Sequence, residues 1–155
     1  MYIAIVALTM GLLPAASVLL ERGLHPDLPL TLLIGKWFVF WGVGVRLGLA
    51  GLRQFFQPQF TAREIFHMQG DEALLLVREL GVANIATGVV GLLSILAPSF
   101  VVPVAISAAI FYGVAGVRHA FEAQRSRNET IAMVSDLAMF LILGGFLASV
   151  ALQRL

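Results

Sequence analysis

Five stretches of this chain, at about 1–20, 31–53, 73–97, 101–121 and 131–152, are each apolar over enough residues to cross a ~30 Å hydrocarbon layer at 1.5 Å rise per residue. In that solvent every backbone N–H and C=O needs an internal partner, so such stretches are predicted to be helices packed on one another. The expected fold class is therefore all-α, an integral membrane helical bundle of five spans. With 155 residues, a single transmembrane domain over 1–155 accounts for the whole length. The charged fraction of 12% agrees, since soluble domains run near 25%. The first stretch lacks a basic leading region and runs into Glu21 and Arg22, so it reads as a retained span with a kink at Pro14.

Several functions are excluded or disfavoured. A net charge of +1 provides no clustered excess of Lys and Arg, which argues against nucleic acid as a partner. With no cysteine, thiol chemistry, disulfides and thiolate metal ligation are ruled out. No serine sits in a G-x-S-x-G turn and no glycine-rich loop precedes a strand, so no catalytic residue is assigned and the chain reads as more a binding protein than an enzyme by itself.

The one long connection, 54–72 (QFFQPQFTAREIFHMQGDE), has signals of its own. Thr61 and Glu64 have the spacing of a capping box, Gly70 suits a helix C-terminus and Asp71 suits the N-cap of the next span. A short interfacial helix is expected at about 62–69. The residues 98–103 (PSFVVP) make the third and fourth spans a tight hairpin. Arg53, Arg63, Arg78, Arg118, Arg125 and Arg127 fall at one membrane face and Arg22, Lys36 and Arg154 at the other. The positive-inside rule then places the N-terminus in the cytoplasm and the C-terminus outside the cell, or inner, membrane.

The polar residues inside the spans converge on the cytoplasmic leaflet. Arg46, Glu79 and Asp136 each lie ~9–12 Å in from their helix ends, and Arg118 and His119 close the fourth span on the same side. A lipid-facing charge costs about 2.5–3.5 kcal/mol, so inward pairing is expected. Arg46 is assigned to Glu79 and Arg118 to Asp136, with the reverse assignment open. Gly44, Gly48 and Gly51, and Gly81, Asn84, Gly88 and Gly91, form small-residue stripes, with Gly113, Gly116, Gly144 and Gly145 extending the theme. These suit close helix packing or a homodimer contact.

Two further patterns carry chemistry weakly. Glu64 with His67, and His119 with Glu122, are carboxylate and imidazole pairs at i, i+3, as in carboxylate-bridged metal sites of helical bundles. They lie near the interface and lack further carboxylates at bundle depth, so no metal is assigned. Trp37 and Trp41, with Phe38 and Phe40, suit interface anchoring.

The run Arg46-Leu-Gly-Leu-Ala-Gly-Leu-Arg53, a connection with Pro58 and Phe60, then Glu79-Leu-Gly-Val-Ala-Asn84 opening a glycine-rich span, resembles the DoxX-like family of small four-helix membrane proteins. The resemblance covers about residues 40–150 and implies a four-helix core plus one added N-terminal transmembrane helix. Members are linked with quinone-dependent oxidation of sulfur compounds, with membrane redox complexes, or with no known activity. Arg46, Arg53, Glu79 and Asn84 match the pattern. The lack of cysteine departs from the thiol-linked branch.

The expected function is a polar cavity in the cytoplasmic leaflet that binds a lipid-like, quinone-like or other small amphipathic ligand, with the chain as an accessory subunit of a membrane redox complex. Arg46, Arg53, Glu79, Asn84, Arg118, His119 and Asp136 are the candidate ligand-binding residues. Quinone or lipid is the candidate cofactor, and membrane lipids or further copies in a homo-oligomer are the candidate partners. The alternative is a small-solute or ion transporter or channel acting as a homo-oligomer. A purely structural reading, in which buried ion pairs set helix register, stands beside both.

Overall fold

In the computed structural model, which describes residues 2–123 and 125–153, the five apolar stretches are helices α1 (Tyr2–Leu24), α2 (Leu30–Phe56), α3 (Glu72–Leu93), α4 (Pro98–Phe121) and α5 (Arg127–Leu152). Each is long and apolar enough to cross a membrane, and the described residues contain no strand. The chain is a small all-helical membrane protein. Arg154, counted above for orientation, lies outside the described residues.

Lipid tails are as apolar as leucine, so helices in a membrane are held by close packing and by polar ties rather than by escape from water. The glycine stripes supply the first. They meet each other: a Cβ on Gly88 would lie 2.7 Å from the Gly48 nitrogen, and one on Gly91 the same distance from that of Gly44. Antiparallel α2 and α3 thus touch backbone to backbone, and the predicted stripes are used up within one chain. In the second antiparallel pair, Gly113 and Gly116 of α4 receive Phe140 and Leu137 of α5. Gly144 and Gly145 face open space.

The polar ties bind α1 to α2 at the other end of the bundle. The Lys36 ammonium donates to both Glu21 carboxylate oxygens at 2.6 and 2.8 Å, and Trp41 Nε1 donates to Ser17 at 3.0 Å. Trp37 Nε1 also donates to Glu21. Val39, Val43, Met139 and Leu143, all at 0% exposure, fill the core between the helices.

Local chemistry shifts several predicted boundaries. α3 stops at Leu93 rather than 97, because Pro98 pushes Ala97 out of helical geometry (φ −127°, ψ 88°). α5 starts at Arg127 because Ser126 and Glu129 form a capping box, the Ser126 hydroxyl accepting from the Glu129 N–H and the Glu129 carboxylate from the Ser126 N–H. Thr61 and Glu64 form no such box: the short helix runs earlier, Phe60–Ile65, with wide π-type turns and no side-chain cap. Asp71 precedes α3 but its side chain caps nothing. α1 and α2 also contain wide turns, at Leu8–Leu12 and Val39–Val45. The first lies immediately before Pro14, whose missing N–H breaks the α-helical ladder there.

Candidate functional site

The two helix pairs are joined unevenly. α3 lies along α2 but makes few contacts with α4, and a cavity of about 600 Å³ occupies the space this leaves. It sits at the end of the bundle where the 57–71 connection meets Ser126 and where α1 begins. Asn84 of α3 and Ile110, Phe111 and Val114 of α4 line it. Ile110 and Val114 are 63% and 67% exposed, so this wall is continuous with the outer, lipid-facing surface.

Arginines dominate its polar lining. On α2, Arg46, Ala50 and Arg53 recur at i, i+4 and i+7 on the side away from the glycines, and all three line the cavity. Arg118 and His119 of α4 and Asp136 of α5 complete the polar wall. Each guanidinium lies against an aromatic ring: Arg46 over Tyr2 at 5.7 Å, Arg53 over Phe60 at 3.5 Å and Arg118 over Phe66 at 5.1 Å. Such a contact stabilises a cation through the π face of the ring without using up all of its N–H donors. Arg46 Nη2 also reaches the Tyr2 hydroxyl at 3.4 Å, while its buried Nε has no hydrogen-bond partner among the described residues.

The expected ion pairs do not form. Among the described residues no carboxylate pairs with Arg46 or Arg118, and Glu79 is exposed and lines no part of the cavity. Two facts explain it. The glycine register sets Gly91 against Gly44 and Gly88 against Gly48, so Glu79 comes level with the end of α2, about ten residues beyond Arg46. It also precedes Gly81 by two residues, roughly 200° around the helix from the packed face. Arg78 and Glu72 are exposed with it, which suits turns at headgroup level. Glu79→Gln is therefore expected to leave the melting midpoint in detergent within about a degree of wild type, an effect of less than ~0.5 kcal/mol. A larger drop would restore a structural partner to Glu79.

The metal-like pairs also part. The short helix ends at Ile65 and His67 takes a left-handed conformation (φ 53°); α4 ends at Phe121 and Glu122 is extended. Neither i, i+3 face survives. Instead Glu129, 1% exposed, receives His67 Nε2 at 2.9 Å and faces His119 Nδ1 at 3.8 Å. Among the described residues no group of three ligating side chains could hold a metal.

The hydrogen bond to Glu129 is the main cause that raises the His67 pKa above its usual value. A raised folded pKa contributes stability that is full below the unfolded value near ~6.5 and is lost as pH rises through the folded one. Wild type should therefore melt higher than His67→Gln at about pH 5.5, and the two curves should converge in the alkaline range. A gap independent of pH would mean that the imidazolium charge contributes nothing.

Sequence reasoning missed Glu129, Tyr2 and Tyr112. Ser126-x-x-Glu129 carries a readable capping signature. Tyr112 does not: it is 2% exposed and donates its hydroxyl to the Gly42 carbonyl at 2.6 Å, inside the wide turn of α2. Asn84, a candidate throughout, donates to Gln54 at 2.7 Å, tying α3 to α2 at the cavity edge.

A family model described as a family of unknown function (DUF6790) matches residues 1–153. No curated protein and no solved structure matches the chain.

Proposed function

The chain belongs to the DUF6790 family of unknown function, and from the cavity we propose that it is a membrane-embedded binding protein for a small amphipathic molecule. One observation carries this reading: the cavity has a polar end and an apolar flank but does not continue through the bundle. It is lined by Arg46, Arg53, Arg118 and Asp136, whereas no residue of the 25–38 or 94–103 regions reaches it. Between lie Val39, Val43, Met139 and Leu143, all fully buried. A blind pocket of this size, mostly apolar with a few convergent polar groups, is the usual form of a small-molecule site. A solute or ion path would have to pass the filled core, which favours binding over transport.

Lipid-like and quinone-like molecules both fit the description, since the arginines and Asn84 offer donors to a carbonyl, hydroxyl or acidic headgroup. A place as an accessory subunit of a membrane redox complex rests on the DoxX-like resemblance alone. Native mass spectrometry of protein purified in mild detergent tests the reading directly. Retention of one amphipathic molecule per chain is the expected result. A chain that retains none, yet moves a small solute across reconstituted vesicles, overturns it in favour of transport.

A further inference from the structure

We infer that the molecule this cavity takes is an amphiphile with an acidic headgroup, whose acyl chain leaves between α3 and α4; this rests on the binding role proposed above. The charge is the first argument. Three guanidinium groups line the cavity against one carboxylate, Asp136, and among the described residues none of the three is neutralised by an ion pair. Arg118 is exposed and Arg46 and Arg53 are half-buried; each lies beside an aromatic ring rather than in an ion pair, an arrangement that leaves N–H donors for a planar carboxylate or a phosphate. The buried Nε of Arg46, with no partner among the described residues, is a donor that such an oxygen would satisfy.

Shape is the second argument. About 600 Å³ is more room than a headgroup alone needs, and the lining is mostly apolar, so part of an acyl chain enters with it. The chain also has a way out. Ile110 and Val114, exposed on α4, border the cavity on the side where α4 and α3 barely touch, so a tail can lie against the bundle surface while the headgroup stays with the arginines.

The test uses purified full-length protein in a non-ionic detergent with three probes at equal concentration: palmitate, hexadecanol of the same chain length without the charge, and acetate with the charge but no chain. Native mass spectrometry should show palmitate retained at least about tenfold over hexadecanol, and no retained acetate. Arg46→Gln, Arg53→Gln and Arg118→Gln should each reduce palmitate retention by about tenfold or more, while Arg78→Gln, exposed on α3, should not. Equal retention of hexadecanol and palmitate overturns the acidic headgroup and leaves the amphiphile-binding role standing. Retention of acetate equal to that of palmitate overturns the requirement for a chain. Retention of neither long-chain probe defeats the binding role itself. The comparison of acid with alcohol needs only wild-type protein, so it decides the headgroup even if an arginine variant fails to fold.

Discussion

Gly88→Ala is expected to lower the melting midpoint by several degrees, and Gly88→Leu to prevent recovery of monodisperse protein, whereas Gly48→Ala should be neutral or stabilising. The two glycines belong to facing stripes and would be given the same role by spacing. Their surroundings differ. A Cβ on Gly88 would stand 2.7 Å from the nitrogen and 2.8 Å from the Cα of Gly48, and neither backbone atom can rotate away. A Cβ on Gly48 meets nothing within 4 Å. Overpacking of this kind costs about 1–3 kcal/mol for one methyl and more for a larger side chain, because α2 and α3 must separate along their whole contact. Alanine at Gly48 gains up to about 1 kcal/mol in helix propensity without opposing strain. Size-exclusion profiles and thermal unfolding of the three variants in one detergent make the comparison. Equal destabilisation by the two alanine variants would place the α2–α3 register elsewhere.

The second large effect is functional. Ala50→Trp should abolish retention of an amphiphile by at least about tenfold while leaving the midpoint within a few degrees of wild type. Ala50 lies between Arg46 and Arg53 on the cavity-lining side of α2 and is half-buried, so an indole there occupies the space a ligand headgroup would need. The glycine contact with α3 lies on the other side of the helix and is untouched. Native mass spectrometry of wild type and variant in parallel reads the difference. Unchanged retention in the variant would move the binding site out of the cavity. Loss of both retention and stability would instead point to misfolding, and Ala115→Trp, on the opposite wall, then provides the same obstruction from α4.

Much of the architecture was legible from local pattern. Apolar runs of about twenty residues define the spans because a bilayer leaves the backbone no other solution, and the glycine stripes correctly marked where backbones approach. Residues that would line one cavity were also legible in part: Arg46, Arg53, Asn84, Arg118, His119 and Asp136 do surround a common space. Glu79 does not, although the information to exclude it was present, since its position two residues from Gly81 turns it away from the packed face. Helix ends are poor rulers of depth: α2 continues to Phe56, past Arg53. The same weakness separated Glu64 from His67 and His119 from Glu122, whose spacing means proximity only while the helix lasts.

Sequence by itself thus determined the solvent, the number of spans, the all-helical class and the faces on which small residues and arginines lie, because each follows from periodicity within one helix. It could not determine which cation meets which anion. That depends on the register of one helix against another, fixed here by Gly88 meeting Gly48 and Gly91 meeting Gly44, and a shift of a few residues there would exchange every partner. Tertiary structure alone placed the rings of Tyr2, Phe60 and Phe66 against the arginines and drew two histidines to Glu129. These contacts join residues as far as 62 positions apart, where no local period operates and only the packing of whole helices decides what is near.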